Sequence, residues 1–426
     1  MNRIKSSLLE RTLGIEFYFT NIPSYLSLDI KLNPNTFNVY EVFENIPVNR
    51  HRDVAKLLNL NKTKRTYAYA VLYKKNIDTI QAIAEISKKF NVPQNDIEFC
   101  GLKDAHATTY QLISIPSKYL SNCSIGSIIS IDNHIELLII GYSDRPLKKG
   151  AHLGNYFTIV VEASSSLIDK IKEALKALQA LDTYPNYYGI QRFGTIRPIT
   201  HVIGKFILKR AWDEVVKYII AYSFPQENSI IRRARILSEE GNFKEALREY
   251  PKSYYEAIIL RELIKSGNSL KALKRMPRQY IMLFVNAFQS YLFNRILSRI
   301  IELYDSYTQY INGMVKCISP LGDIRPCIPL VGLGMKVDSK SELHHIINEV
   351  LSIEGISIDD FNVKDLGIKV YSRPRPMYIP IINFKWHISE KDDKVILHIS
   401  FVLERGAYAT NILREITNYN IDKMYT

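Results

Sequence analysis

Gly101-Leu102-Lys103-Asp104-Ala105-His106-Ala107-Thr108-Thr109-Tyr110-Gln111 sets one carboxylate among glycine, lysine and short polar residues, just ahead of the strand-like run 112–115. That order reads as a turn presenting a reactive group at the mouth of a strand. Around it, strand and helix signals alternate. Residues 30–42 are strand-rich, with a turn at Pro34-Asn35, and residues 67–73, 111–115, 135–141 and 155–162 are further strands. Between 77 and 90, Ile80, Ile83, Ala84 and Ile86 recur at helical spacing behind a capping Asp78. Up to about residue 164 the pattern is α+β with antiparallel character.

A serine-rich cap opens an amphipathic helix over 166–181, and beyond residue 205 the signals are almost exclusively helical. Two short stretches there echo one another, Gly241-Asn242 to Pro251 and Gly267-Asn268 to Pro277. Each reads as a short helix capped by Gly-Asn and stopped by proline, too few copies for a solenoid. Residues 281–304 are apolar almost all round, which marks a central buried helix. Strands return after residue 379, and 394–403 alternates well enough to be paired. The expected organisation is one mixed domain, residues 1–205 with 370–426, interrupted by an inserted, mostly helical domain over 206–369.

At 426 residues and 46% hydrophobic content, the chain can bury more than one core. Lys and Arg outnumber Asp and Glu by 56 to 43, a formal charge of +13, so nucleic acid is the first partner to consider. Cys100, Cys123, Cys317 and Cys327 are too few and too scattered for a disulfide framework and form no CxxC pair, which fits a reducing, cytoplasmic setting. Glu10, Arg11 and Glu16 interrupt any secretory signal, and no run approaches the roughly 18 apolar residues of a membrane span.

Asp104 has no second carboxylate within several residues, so a glycosidase-type pair would need a partner from elsewhere. A lone carboxylate beside cations suits a nucleophile or base kept ionised at neutral pH. Lys103 is adjacent, yet neighbours in extended chain point apart, which leaves Lys31 as a candidate partner. A second segment, Asn186-Tyr187-Tyr188-Gly189-Ile190-Gln191-Arg192-Phe193-Gly194, joins rings, amides and a guanidinium between two glycines. A ring stacked on an unstacked base contributes about 1–3 kcal/mol, and the amides of Asn186 and Gln191 can read a base edge. Arg192 and Arg197 hold phosphates or cap a helix. Basic groups such as Lys62, Lys64 and Arg65, or Arg373 and Arg375, read as solvated faces that can still line a positive cleft. Gly406-Ala407-Tyr408-Ala409-Thr410 reads as a turn into a closing helix, with Arg414 and Glu415 paired.

These segments resemble the TruD family of tRNA pseudouridine synthases, in a form similar to its archaeal members. Residues 101–111 resemble the family's Gly-x-Lys-Asp signature, and 186–194 its Asn-Tyr-Phe-Gly-x-Gln-Arg-Phe-Gly signature. In order along the chain, residues 30–42, the Gly150, Leu153, Gly154, Asn155 and Phe157 set, residues 287–294 and residues 401–415 resemble further family elements. Tyr188 stands where the family often has Phe, which keeps the ring and adds a hydroxyl; Val331 replaces a turn proline.

The resemblance implies an α+β fold: a pseudouridine synthase catalytic domain with a bifurcated, mainly antiparallel sheet, and an inserted helical TRUD domain. It implies an enzyme that isomerises a uridine of tRNA, uridine 13, without metal or organic cofactor, with RNA as its partner in the cleft between the domains. Asp104 takes the catalytic place, as attacker of sugar or base or as a proton acceptor, and Lys31 would hold its charge. Tyr188 would stack on the base and Asn186 orient the loop or base, with Gln191, Arg192, Phe37, Lys103 and Gln111 completing the substrate contacts. The alternative is an RNA-binding or RNA-chaperone protein without catalysis. A methyltransferase is disfavoured because no Gly-rich loop follows a strand.

Overall fold

The computed structural model describes residues 3–20, 34–103, 105–121, 123–252, 254–391 and 394–417. Asp104 and Lys31, the two residues expected to carry the chemistry, lie outside the described residues. One large sheet organises the rest. Its path runs through Ile382–Lys391, Lys394–Glu404, Gly154–Ser164, Phe37–Phe43, Thr108–Pro116, Tyr67–Lys75, Ile135–Ser143 and Ile128–Ser130. Neighbours on that path are antiparallel except Phe37–Phe43 with Thr108–Pro116, which is parallel. The parallel ladder holds only Asn38↔Thr108, Val39↔Thr109 and Tyr40↔Tyr110 before Val42 and Phe43 pair with Ile46–Pro47 instead. The sheet therefore forks at its centre, giving the bifurcated, mainly antiparallel α+β architecture that the sequence implied.

Both faces of the Thr108–Pro116 strand are covered, since residues on either side of its pleat are buried. Ile113 and Ile115 belong to a core with Ala82, Ile83 and Ile86 of the Thr79–Phe90 helix, and Leu112 to a core with Val54 of the His51–Leu57 helix. Asp78 caps the Thr79–Phe90 helix by accepting the Gln81 N–H, as expected; Ile80 turns out to be exposed. Farther along, the 27-residue helix Arg278–Tyr304 spans about 40 Å and buries most of its length. It packs on Thr200–Leu208, where Gly204 leaves no room for a side chain against the Phe284 carbonyl.

The middle of the chain is less purely helical than its sequence suggested. A hairpin of Val315–Ile318 and Ile324–Pro329 is extended by Pro374–Pro376, so strands begin well before residue 379. These strands are short and proline-rich, and so lack a legible two-residue period. The hairpin also joins Cys317 to Cys327 in a disulfide, Cα atoms 6.0 Å apart, a pairing not expected from the scattered cysteines. Of the two Gly-Asn stretches, Asn268 caps its helix through the Lys271 N–H and Asn242 makes no such bond. Among the described residues, no helix is long and apolar enough to cross a membrane.

Candidate active site

The fork in the sheet is where polar side chains go inside. Glu41, one residue past the last parallel partner, uses Oε2 to accept the Leu112 N–H at 2.9 Å, taking over where the ladder ends. Its Oε1 lies 2.9 Å from Lys103 Nζ, and both side chains are buried. Removing such a pair from water costs several kcal/mol per ion, so it persists only where its partners are fixed. Burial pushes the Glu41 carboxyl up, opposed by Lys103 and the Leu112 N–H. Lys103, expected to touch substrate, is thus committed to Glu41.

The same contacts fix the loop leading to Asp104. The Lys103 N–H donates to Thr79 Oγ1 at 3.0 Å, Thr79 Oγ1 donates to Gln111 Oε1 at 3.1 Å, and Gln111 Nε2 donates to the Gly101 carbonyl at 3.3 Å. Gln111 is fully buried and stands behind the loop rather than in a substrate-facing wall, because its amide is spent on bracing the strand-to-loop junction.

In front of this loop lies a cavity of about 300 Å³. Its wall combines Phe37, Val39 and Phe157 from the sheet, Gly101 to Lys103 from the loop, His152 and Asn155, Gln191, and the turn from Arg405 to Thr410. Of the residues expected to bind substrate, Phe37, Lys103 and Gln191 line it; Gln191 Oε1 accepts from Thr410 Oγ1 at 3.0 Å. Burial, with Lys103 and Arg405 nearby, pushes the His152 imidazole down to about 3, so it is neutral at physiological pH. Its Nδ1 and the Asn155 Oδ1 are buried without hydrogen-bond partners among the described residues.

Tyr188, Asn186 and Arg192 support the wall from behind. The Arg375 guanidinium sits 3.8 Å from the centre of the Tyr188 ring, and its Nη2 donates to Asn186 Oδ1 at 2.7 Å and to the Gly406 carbonyl at 3.1 Å. One face of the ring expected to stack on a base is therefore taken by Arg375. Tyr408, whose ring centre is 6.0 Å from that of Tyr188, is the ring that reaches the cavity. Asn186 Nδ2 donates to the Pro376 carbonyl at 3.0 Å, and Arg192 Nε to Ser290 Oγ at 3.0 Å. Arg197 donates to the carbonyls of Tyr218 and Ala221 at the end of the Trp212–Ile220 helix, so its capping reading is the one the structure bears out.

A polar stripe on the long helix grips this segment. Asn294 accepts the Tyr188 N–H at 2.8 Å and returns a bond to the Tyr188 carbonyl at 3.0 Å, while Ser298 meets the Tyr187 hydroxyl at 2.9 Å. Ser290, Asn294 and Ser298 recur every four residues, a signal visible in the sequence once the helix is recognised. Below, Arg414 pairs with Glu415 at 2.7 Å, as expected, and also with Glu10 at 2.5 Å, tying the closing helix Ala409–Thr417 to the N-terminal segment.

Glu41, Cys100 and His152 bring possible metal-ligand atoms within 4.8 Å of one another. They make a poor metal site as they stand: Lys103 already neutralises Glu41, and burial pushes the Cys100 thiol up to about 12, away from the thiolate a metal needs.

The chain matches the family described as tRNA pseudouridine synthase D (TruD) over residues 12–319 and 315–416. It belongs to that family. A relative from Nanoarchaeum equitans assigned to tRNA pseudouridine synthase D is 33% identical over 92% of this chain and 99% of its own. One from Methanocaldococcus jannaschii, likewise assigned, is 32% identical over 95% of this chain and 98% of its own. The crystal structure of a Methanosarcina mazei chain assigned to TruD superposes with a TM-score of 0.74 at 25% identity, covering 99% of this chain and 100% of that one. Membership makes the chain an isomerase of the pseudouridine synthase class.

Proposed function

We propose that this chain converts uridine 13 of tRNA to pseudouridine, with Asp104 as the acting carboxylate. The N1–C1′ bond breaks, the uracil turns, C5 bonds to C1′, C5 loses its proton and N1 gains one; nothing is oxidised or reduced. One observation carries the reading: the three residues directly before Asp104, Gly101 to Lys103, form part of a ring-lined cavity of about 300 Å³. That volume lies at the small end of ligand pockets and suits one flipped base. Flipping costs a few kcal/mol, which stacking on Tyr408 or Phe37 offsets, while the amides of Asn155 and Gln191 offer contacts to the base edge.

Lys31 is the cation that the sequence offers to hold the Asp104 charge; a Lys31→Met variant with unchanged rate and pH profile would remove it from that role. The expected domain division, 1–205 with 370–426 around 206–369, belongs to this proposal, with tRNA between the two parts and the cytoplasm as the setting. Unmodified tRNA transcripts, treated with the protein and mapped by carbodiimide-dependent primer-extension stops, test it. A stop at uridine 13 is expected. Stops elsewhere would overturn the position, and tRNA binding without any stop would reduce the protein to an RNA binder.

A further inference from the structure

A second cavity, of about 630 Å³, opens at the far end of the central strands. Thr109 of the Thr108–Pro116 strand pairs with Val39, which lines the reaction cavity, whereas Pro116 lines the second one. The strand between them sets the two cavities roughly 23 Å apart, too far for one nucleotide to fill both. Lys64 and Arg65, which read as a solvated face in the sequence, lie in the wall of this second cavity together with Lys118.

Two features set it apart from an ordinary charged surface. Lys64, Arg65 and Lys118 share the wall with Asp96 and Glu98, and among the described residues none of the five makes an ion pair. Lys118 Nζ lies 4.8 Å from the centre of the Tyr119 ring, a contact that leaves its charge uncompensated. Charges of both signs are thus open to a third group. Ser117, only 3% exposed, belongs to the same wall, and its Oγ has no hydrogen-bond partner among the described residues. Its N–H is already used on the Thr66 carbonyl at 2.8 Å. A buried hydroxyl without a partner is costly, and a ligand that accepts from it removes the cost.

This wall specifies a chemistry. Cations beside a hydroxyl donor suit a phosphate, which takes Arg as a fork and Lys as a point charge. Phosphate alone would be repelled by Asp96 and Glu98, so the other end of the ligand has to donate hydrogen bonds to them. Among the RNA bases, guanine alone sets N1–H and an amino group side by side for a single carboxylate. Tyr67, half-buried in the same wall, supplies a ring for the base to lie against. We infer that the second cavity takes one guanine nucleotide of the RNA substrate, its phosphate on Lys64, Arg65, Lys118 and Ser117 and its base edge on Asp96 or Glu98. The inference rests on tRNA as the substrate and adds a point at which the RNA is held away from the reacting uridine.

Calorimetric titration of the full chain with 5′-GMP, 5′-UMP and inorganic phosphate at low salt, beside filter binding of a tRNA transcript, tests it. GMP is expected to bind at least about tenfold more tightly than UMP or phosphate. The double variant Asp96→Asn with Glu98→Gln should erase that preference. Arg65→Gln with Lys118→Gln should weaken GMP and tRNA binding about tenfold and flatten the salt dependence of tRNA binding. Ser117→Ala should weaken GMP binding with urea unfolding unchanged, because the hydroxyl bonds nothing among the described residues. Equal binding of GMP and UMP, or none of either, would overturn the nucleotide site, as would a GMP preference that survives both double variants. A GMP preference with tRNA affinity untouched by loss of the two cations would overturn its assignment to the RNA substrate. None of these readouts needs turnover: tRNA bound in this way without any pseudouridine formed would count against the proposed function and leave the site standing.

Discussion

Two buried ion clusters in this protein each set glutamate against a cation and differ in how they are finished. Around Arg414, every guanidinium nitrogen is used: Nε on Glu10, Nη1 on Glu415, Tyr184 and the Phe17 carbonyl, and Nη2 on Ser6. Glu415 in turn accepts the N–H groups of Phe19 and Thr20 and the Tyr184 hydroxyl. Around Glu41, by contrast, Lys103 approaches Oε1 at 2.9 Å, while His152 Nδ1 and Asn155 Oδ1 have no hydrogen-bond partner among the described residues. The saturated cluster lies in the core that joins the two ends of the chain; the unsaturated one borders the cavity. Polar groups left incompletely paired in a low-dielectric wall are costly for stability, and they persist where a ligand can complete them.

Breaking the saturated cluster should have the largest effect. Arg414→Met leaves Glu10 and Glu415 buried without their cation and is expected to cost about 3–5 kcal/mol, read from urea unfolding. Loss of under 1 kcal/mol would show that the network is neutral ballast. In the unsaturated cluster, Glu41→Gln should act on turnover instead. It keeps an acceptor for the Leu112 N–H but releases Lys103, so kcat should fall about tenfold to a hundredfold, about 1.4–2.7 kcal/mol, with KM nearly unchanged. Equal losses of stability and none of kcat would erase the contrast.

Arg375→Lys sharpens it further, since a lysine cannot both cover the Tyr188 ring and fork between Asn186 and Gly406. A fall of about fivefold to tenfold in kcat/KM is expected. The smallest effect is one of pH. In the unfolded chain His152 takes up a proton as pH falls below its ordinary value near 6.5, whereas the folded chain resists until about 3. The unfolded state therefore binds more protons across that window, and stability falls on acidification. Between pH 7 and 6, where this contribution has only begun to fall, His152→Gln should reduce the loss by under about 1 kcal/mol. An unchanged slope would mean that His152 is not held neutral.

Much of this was legible from residues alone. Periodicity located the Thr79–Phe90 helix and the Lys394–Glu404 strand, because each buries a regular stripe, and an all-round apolar run located the Arg278–Tyr304 helix. The two segments singled out by composition do converge on one cavity, through Gly101 to Lys103 and Gln191. What remained hidden depends on distance across the fold. Glu41 drew no reading of its own within the strand-rich stretch 30–42, and only the fork shows why it is there. Arg375 read as a solvated charge because its partners, Asn186 and Gly406, are far away in sequence. Tyr188 was the ring expected to stack, while Tyr408 lines the cavity, since which of two packed rings faces outward is a property of the neighbours. The proline-rich strands before residue 379 carried no alternation to read.

Tritium release from tRNA transcripts carrying [5-³H]uridine, with wild type and Asp104→Asn compared and no cofactor added, tests the central claim most directly. Release by wild type, and a loss of more than about a thousandfold in a folded Asp104→Asn variant, is the predicted result. Equal release by both proteins, or none by either while tRNA still binds, would contradict uridine isomerisation through Asp104.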